Sequence, residues 1–333
     1  MLKVALIDDY AHAALESADW KRLDGKAEVT VFDRHLSEEE AAEALKPFDV
    51  LCTIRERMAL PRTLFERLPN LKLVTIVGAR LTNLDLDAAT ERGVIVAHSG
   101  AAMRAPQFAN VGAATPELAW GLVIATARDL ARQDRRMRQG LWQDRLGMVL
   151  AGRTLGLLGL GRIGKRMAHY GKAFGMEVIA WSQNLTAEAA EAEGVRRVDK
   201  DELFAQADVL SIHLILSART RGLVTARELG LMKPTAFLVN TSRGPIVVEA
   251  DLVAALSAGR IAGAGLDVYD QEPPAADHPL RTLDNVTLSP HLGYATRDTL
   301  AAFYADSLDA IEAFADGAPI RISNPDALAN ARR

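Results

Sequence analysis

The chain has 333 residues, of which 49% are hydrophobic and 25% are charged, a composition that indicates a folded globular protein rather than a disordered or fibrous one. Its 39 basic and 43 acidic residues give a formal net charge of −4, which disfavours a nucleic-acid-binding protein because such proteins normally need a basic face. The length suggests two domains, since about 150 residues per domain is typical.

Several features bear on the cellular compartment. The single cysteine, Cys52, cannot form an internal disulfide, which favours a reducing compartment. The N-terminus carries acidic residues directly after a short apolar run, unlike a signal peptide, and the apolar segment 118–127 is too short to span a bilayer. No Cys/His cluster has zinc-site spacing. We therefore expect a cytoplasmic protein without a metal site or a membrane partner.

The first hundred residues alternate short β-branched runs with amphipathic stretches, which predicts a parallel sheet covered by helices. The predicted strands are 2–8, 28–32, 49–54, 71–77 and 93–97. The predicted helices are 11–20, 37–45, 61–68 and 84–92. Ser37 and Glu40 have capping-box spacing, and Pro61 suits a first helical turn.

A longer helical region, 116–138, follows, and its run of arginines is interpreted as a solvated face. From Arg153 the strand-helix alternation begins again, with predicted strands TLGLLGL, MEVIAW, DVLSIHL, AFLVN, AGAGLDV and NVTLSP. A helix over 296–314 and a loose tail over 322–333 complete the prediction. This alternation predicts the α/β fold class, with two Rossmann-like or flavodoxin-like domains and parallel sheets, and we expect an active-site cleft between the domains.

The segment 159–164, GLGRIG, lies between a predicted strand and a predicted helix, which is the setting of a dinucleotide-binding turn. The first glycine permits the bend, the second lets the backbone approach a pyrophosphate, and the third brings the helix close to the strand. The helix N-terminus offers unpaired amides to the anion. The residues predicted to bind the cofactor here are Gly159, Gly161, Arg162, Ile163 and Gly164.

The residue that contacts the adenosine ribose is usually an acid about twenty residues further on, at the end of the next strand. In this chain Ser182 occupies that place, so no carboxylate awaits the 2′-hydroxyl or repels a 2′-phosphate. No Lys or Arg replaces the acid nearby in the sequence. We therefore expect NAD as the cofactor and leave NADP open.

Three polar segments follow later strands: NTSRG at 240–244, GLDVYDQEP at 265–273 and SPHLG at 289–293. Carboxyl ends of parallel strands meet at one sheet edge, so we expect Arg243, Glu272 and His291 to converge. They supply an anion-binding fork, a charge partner and a proton donor, the groups needed to reduce a 2-keto acid. The alternatives are a surface ion pair for Arg243, a turn role for Glu272 and a structural role for His291.

Together with GLGRIG, these segments resemble the D-isomer-specific 2-hydroxyacid dehydrogenase family, which includes phosphoglycerate dehydrogenases and glyoxylate/hydroxypyruvate reductases. The resemblance covers almost the whole chain, and the spacings of 29 residues from Arg243 to Glu272 and 19 from Glu272 to His291 fit it. It implies that Arg243, Glu272 and His291 are catalytic in hydride transfer between NAD(P) and C2 of a small D-2-hydroxy or 2-keto acid. Because 42 residues follow His291, we expect a phosphoglycerate dehydrogenase-like protein without a C-terminal regulatory domain.

The resemblance also implies further site residues. Those implied to contact the cofactor are His213, Leu214, Thr241, Ser242, Asp267, His291 and Gly293, with Asp267 at the nicotinamide carboxamide. Gly78 and Ala79 would hold the substrate carboxylate through their amides. Arg55, at a predicted strand exit, and Arg243 would also contact the substrate.

At the level of domains, the resemblance implies a substrate-binding domain of residues 1–98 with 295–333, an NAD(P)-binding domain of residues 99–294, and a homodimer. Three departures from the family pattern are Arg80 in place of a common glycine, an apparent insertion at 100–108, and Ile215 in place of a frequent proline. An NAD(H)-sensing binding protein of the corepressor type remains the alternative function. The sequence leaves the particular 2-hydroxy acid open.

Overall fold

The computed structural model describes residues 1–55, 57–77, 83–100 and 105–330. The chain separates into two compact units, Met1–Gly112 with Ala295–Arg333 and Ala113–Tyr294. Each unit contains one parallel β-sheet, which confirms the predicted α/β fold class.

The first unit is built on five strands within the described residues: β1 (Leu2–Leu6), β2 (Ala27–Val31), β3 (Val50–Thr53), β4 (Leu73–Ile76) and β5 (Ile95–His98). Their order is β2-β1-β3-β4-β5, and all neighbouring pairs are parallel. Strands β3 and β4 are buried along their whole length, as expected for central strands of a parallel sheet. The five predicted strands are thus confirmed, with small shifts at their ends.

The helices of this unit are α1 (Glu38–Ala44), α2 (Arg62–Arg67), α3 (Leu86–Glu91) and the C-terminal α11 (Arg297–Ala315). The Ser37–Glu40 capping box at the start of α1 is confirmed. The predicted helix over 11–20 is wrong, because turns occupy this segment and a 3-10 turn follows at Trp20–Leu23. The Asp9 carboxylate accepts the backbone N–H groups of Ala13 and Ala14 at 3.0 and 2.9 Å, so a side chain takes amides that a helix would use.

The predicted loose tail is also wrong for the residues that the structure describes. The backbone N–H of Ser323 donates to the Val96 carbonyl at 2.7 Å. The buried Asn324 side chain accepts the Val96 N–H at 2.8 Å and donates to the Val94 carbonyl at 2.9 Å. The tail therefore takes up backbone groups along β5 and continues into a 3-10 turn at Pro325–Asn330.

The second unit contains the strands β6 (Thr154–Leu158), β7 (Glu177–Trp181), β8 (Arg196–Arg197), β9 (Val209–Ile212), β10 (Phe237–Asn240), β11 (Gly263–Leu266) and β12 (Val286–Leu288). Its parallel sheet has the order β12-β11-β10-β9-β6-β7-β8. The strand order reverses between β6 and β9, and ligands of open α/β sheets bind beyond the carboxyl ends of strands at such a switch point.

The helices of this unit are α4 (Ala114–Ala127), α5 (Leu130–Arg138), α6 (Arg162–Ala173), α7 (Ala187–Glu191), α8 (Lys200–Gln206), α9 (Ala226–Leu231) and α10 (Glu249–Ser257). The predicted helix 116–138 is interrupted at Asp129, whose φ is +54°. The arginines of α5 are only partly a solvated face. Arg132 and Arg136 contact the Asp144 carboxylate at 2.5 and 3.3 Å and so fasten the irregular segment after α5 to the helix.

Candidate active site

The GLGRIG turn joins β6 to α6, and its glycines are needed for different reasons. Gly159 has φ +109°, and a Cβ there would lie 2.6 Å from the His213 carbonyl oxygen. A Cβ on Gly164 would overlap the Gly159 carbonyl oxygen, so this glycine lets the helix lie against the turn. Gly161 has φ −82° and would meet nothing within 4 Å. The protein itself gives no steric reason for a glycine at 161.

This turn fits the pyrophosphate of a dinucleotide. The open space beside Gly161 is where a ligand would approach the backbone, and α6 begins with no side-chain cap on its first amides. Arg162 and Ile163, which open the helix, are therefore at the anion-binding end of α6.

Two buried polar atoms at neighbouring strand ends also fit a ligand. His213 follows β9, and its Nε2 contacts the Ser211 hydroxyl at 2.8 Å, while its buried Nδ1 has no hydrogen-bond partner in the described part of the chain. The hydroxyl of Thr241, after β10, is likewise buried and unpaired there. Burial lowers the pKa of His213 to about 3, so its ring is neutral. Buried polar atoms usually have partners, and a bound cofactor would supply them.

Three further expected cofactor residues, Ser182, Leu214 and Ser242, lie one or two residues after the ends of β7, β9 and β10. The Gly159 amide donates to the Trp181 carbonyl at 2.8 Å, which ties the turn to the residue before Ser182. A Cβ on Gly159 would also meet the Leu214 side chain at 3.0 Å. The Ser242 hydroxyl donates to the Ile212 carbonyl at 2.7 Å and so links the ends of β9 and β10.

Arg243 lies in a short loop between β10 and a 3-10 turn at Gly244–Ile246. The Asn240 side chain closes this loop, because its Nδ2 donates to the Arg243 carbonyl and its Oδ1 accepts the Ser242 amide, both at 3.0 Å. The loop rests on the segment that follows β11, since a Cβ on Gly244 would overlap the backbone of Tyr269. Two of the three predicted catalytic segments are therefore in backbone contact.

Glu272 and His291 form a direct pair. The Nδ1 atom of His291 lies 2.5 Å from Oε2 of Glu272, and the two side chains are 18% and 29% exposed. Oε1 of Glu272 accepts the Tyr269 amide at 2.9 Å, which fixes the carboxylate in the turn. Among the described residues, Nε2 of His291 has no hydrogen-bond partner. The ring of Tyr294 packs edge-on against the imidazole with centroids 5.7 Å apart.

Asp267 holds the loop that carries this histidine. Its Oδ1 accepts the Leu292 amide at 2.7 Å and the Ser289 hydroxyl, and its Oδ2 accepts the Gly293 amide at 2.9 Å. The side chain is fully buried, and burial raises the pKa of its carboxyl. These bonds flank His291, whose φ is +53°, a conformation that a non-glycine residue adopts only when its surroundings impose it. The implied contact of Asp267 with the nicotinamide carboxamide stays a prediction.

The substrate residues expected in the first unit are only partly described. Arg55 follows β3, has φ +51° and is half-buried, and its carbonyl accepts the Asn83 side-chain amide at 3.4 Å. Gly78, Ala79 and Arg80 lie outside the described residues, as do residues 101–104 of the apparent insertion at 100–108.

A second carboxylate–imidazole pair, which the sequence did not predict, lies in the second unit. Oε1 of Glu249 lies 2.8 Å from Nε2 of His278. No motif joins these residues, although a histidine before Pro279 matches a residue that caps a short helical turn.

The described residues contain neither a membrane-spanning helix nor a metal-binding cluster. None of their helices is long and apolar enough to cross a membrane. In the same residues, no group of three or more His, Cys, Asp and Glu side chains is arranged to hold a metal ion.

Comparisons with known proteins agree with this arrangement. Residues 120–293 match the profile of the NAD binding domain of D-isomer specific 2-hydroxyacid dehydrogenases. The chain is 36% identical to the D-3-phosphoglycerate dehydrogenase of Methanocaldococcus jannaschii over 305 residues, 91% of this chain and 55% of that protein. It is 38% identical to the glyoxylate reductase of Aeropyrum pernix over 289 residues, 81% of this chain and 84% of that protein.

A solved structure agrees as well. The phosphoglycerate oxidoreductase from Vibrio cholerae has a TM-score of 0.88 and 36% identity, with 96% of this chain and 100% of that chain covered. The chain spans about half the length of the phosphoglycerate dehydrogenases of Methanocaldococcus jannaschii and Archaeoglobus fulgidus. These similarities extend over nearly the whole chain and confirm the resemblance inferred from its motifs. The chain belongs to the D-isomer-specific 2-hydroxyacid dehydrogenase family.

Proposed function

We propose that this protein is an NAD(P)-dependent oxidoreductase that transfers a hydride between the nicotinamide and C2 of a small D-2-hydroxy or 2-keto acid. The observation that carries the proposal is the Glu272–His291 pair, at 2.5 Å, in the unit that contains the NAD binding domain. The Arg243 loop, which is in backbone contact with the segment before Glu272, supports it.

His291 acts as the proton donor in the direction of reduction. A bound reduced nicotinamide would supply a hydride to C2 and would leave negative charge on the carbonyl oxygen. Nε2 of His291 is the ring nitrogen that remains for the substrate, because Nδ1 is engaged by Glu272. The imidazolium gives its Nε2 proton to that oxygen, and in the oxidation direction the neutral ring removes the hydroxyl proton.

Glu272 prepares the histidine for this step. Its negative charge stabilises the imidazolium, and its bond to Nδ1 keeps the proton on that nitrogen when the ring is neutral. The Tyr269 amide at 2.9 Å holds the other carboxylate oxygen, so the pair enters the reaction already oriented.

Arg243 binds the substrate carboxylate. Its planar guanidinium offers two parallel N–H donors, a geometry that lysine cannot copy. We propose that Arg55, Gly78 and Ala79 also contribute to substrate binding. Arg55 lies two residues after the end of β3 in the parallel sheet, a position that supports its part in this proposal.

For the cofactor we propose NAD, with NADP also accepted. Ser182 presents no carboxylate to repel a 2′-phosphate, and the residues of the GLGRIG turn contact only the part that both cofactors share.

We also propose a homodimer in a reducing compartment, the cytoplasm. Large apolar side chains at the end of α5 and after it are exposed, among them Met137 at 55%, Trp142 at 70% and Leu146 at 96%. Exposed apolar patches of this kind mark protein interfaces. The single cysteine, Cys52, is free and buried, which suits a reducing compartment. Light scattering of the purified chain tests the dimer, and a monomeric mass contradicts it.

The activity is tested by a screen of small 2-keto acids. Glyoxylate, hydroxypyruvate, pyruvate and phosphohydroxypyruvate are each mixed with the protein and NADH or NADPH, and loss of the reduced-nicotinamide absorbance is followed. Turnover of at least one acid is expected, and the two cofactors are compared in the same assay. Tight cofactor binding with no turnover of any acid would contradict the enzyme and favour a cofactor-sensing protein.

A further inference from the structure

The Glu249–His278 pair is similar in burial and hydrogen bonding to the Glu272–His291 pair at the proposed reaction centre. Glu249 is the first residue of α10, and His278 precedes the 3-10 turn Pro279–Arg281. Their side chains are 22% and 17% exposed. The Leu280 amide donates to Nδ1 of His278 at 3.3 Å, so Nδ1 is an acceptor and the proton is on Nε2, which donates to Glu249 at 2.8 Å. Both ring nitrogens are thus used within the protein.

The second oxygen of Glu249 reaches the segment that holds Glu272. Oε2 of Glu249 accepts the Asp270 amide at 3.2 Å, while Oε1 of Glu272 accepts the amide of the preceding residue, Tyr269, at 2.9 Å. Two consecutive backbone amides are therefore bound by two carboxylates, and each carboxylate is paired with its own histidine.

The same two residues support the Arg243 loop. A Cβ on Gly244 would overlap the Tyr269 carbonyl group and would lie 2.5 Å from the Asp270 nitrogen. The backbone of residues 269–270 is consequently the surface on which the Arg243 loop rests and from which Glu272 is held. A shift of this backbone would change the position of both groups at once.

We propose that Glu249 and His278 are positioning residues for the reaction, which act by fixing the 269–270 backbone and through it the Glu272–His291 pair. This inference rests on the proposed function. A merely structural pair would fasten the 274–281 segment to α10, and its loss would reduce only the amount or stability of folded protein.

Two substitutions of His278 separate these roles, because each preserves one of its two bonds. In His278→Asn the side-chain oxygen reaches the position of Nδ1 and still accepts the Leu280 amide, but the donor to Glu249 is lost. In His278→Gln the side-chain amide reaches the position of Nε2 and still donates to Glu249, but the cap on Leu280 is lost.

The positioning role predicts different activities for the two variants. With the 2-keto acid found in the screen, kcat of His278→Asn per folded molecule falls roughly tenfold. Its KM rises as well, because the Arg243 loop rests on the same backbone. His278→Gln, which keeps the bond to Glu249, retains at least half of the wild-type kcat. Wild-type kcat per folded molecule in His278→Asn, or an equal kcat loss in both variants, overturns the proposal.

A second measurement does not depend on turnover. The Nδ1 proton of His291, in its short contact with Glu272, is expected to give a downfield proton resonance, identified by its absence in His291→Gln. This resonance shifts or broadens in His278→Asn and in Glu249→Gln and is retained in His278→Gln. An unchanged resonance in all three contradicts the positioning role. Because this readout needs no substrate, a protein that reduces no 2-keto acid but shows the shift refutes the enzyme function alone.

Discussion

The two carboxylate–imidazole pairs of the second unit have the same chemistry but differ in the second nitrogen of the histidine. In the Glu249–His278 pair, the Leu280 amide occupies that nitrogen. In the Glu272–His291 pair, it has no partner among the residues that the structure describes. A histidine with both nitrogens bound can orient its neighbours, whereas one with a remaining nitrogen can exchange a proton with a ligand.

The backbone around the two histidines differs in the same sense. His291 has φ +53° and is held in that conformation by three hydrogen bonds from Ser289, Leu292 and Gly293 to the buried Asp267. His278 has φ −57°, an ordinary value. The contact between imidazole and carboxylate is therefore not enough to identify a catalytic histidine. A ring nitrogen without a hydrogen-bond partner in the protein and a backbone held at positive φ are the features that distinguish His291.

The largest effect expected from this contrast is at His291. His291→Gln removes the proton donor and should lower kcat by about two to four orders of magnitude, the usual size of lost acid–base catalysis. Steady-state reduction of the 2-keto acid measures the loss, with His169→Gln on the exposed side of α6 as the matched control. A kcat of His291→Gln within a few-fold of the wild-type value would contradict the role of His291 as proton donor, and with it the difference from His278.

The next effect is at the carboxylate of the same pair. Glu272→Gln keeps the size of the side chain but removes the charge that stabilises the imidazolium, and one amide oxygen cannot serve both the Tyr269 amide and Nδ1. We expect kcat to fall by about one to two orders of magnitude with cofactor affinity unchanged. Cofactor titration by fluorescence provides the control. If Glu272→Gln lowers kcat no more than Glu249→Gln does, the two pairs contribute equally to the reaction and the contrast between them is contradicted.

Much of the fold followed from the sequence because buried parallel strands are short, nearly continuous apolar runs. The strands around Cys52 and Val74 are examples, since both are completely buried. The errors arose where side chains bind backbone groups. The Asp9 carboxylate replaces a predicted helix with a turn, and the Asn324 amide ties a predicted tail to β5. Such contacts depend on the final path of the chain, which hydrophobic periodicity does not encode.

The sequence likewise predicted part of the candidate site, namely the segments that follow strands. Arg243, Glu272 and His291 each follow a strand, and parallel strands bring their carboxyl ends to one edge, so strand assignment was enough to group their segments. Glu249 and His278 escaped notice because their contact spans 29 residues and neither follows a strand directly. Their meeting depends on how α10 and the 274–281 segment pack.

A smaller effect, on cofactor affinity, is expected from a substitution in the GLGRIG turn that leaves both carboxylate–imidazole pairs intact. Gly161→Ala adds a methyl group that meets no protein atom within 4 Å, at a φ of −82° that alanine accepts. We expect the dissociation constant of NADH to rise about tenfold, kcat at saturating cofactor to persist, and the melting temperature to stay equal or rise slightly. Gly230→Ala in α9, which also meets nothing within 4 Å, is the control. Equal affinity in both variants would contradict a pyrophosphate at this turn.

A carboxylate in neither pair should have no effect on kcat. Glu228 is buried, and this alone would raise its pKa, but bonds from the Thr225 hydroxyl, Lys200, the Thr225 amide and Arg227 outweigh burial and lower the pKa to about 2. An acid whose pKa is lowered in the folded state stabilises the protein above its unfolded pKa, near 4.5, and this stability is lost as the pH falls towards 2.

Glu228→Gln should therefore lower the free energy of unfolding by about 3 kcal/mol at pH 7 and by about 1 kcal/mol at pH 3, as urea titrations at the two pH values would measure. Its kcat per folded molecule should equal that of the wild type. Glu228→Gln therefore shows how a purely structural carboxylate behaves, and Glu249→Gln is compared with it. If Glu249→Gln also loses stability and keeps its kcat, the Glu249–His278 pair is structural, like Glu228, and does not position the reaction centre.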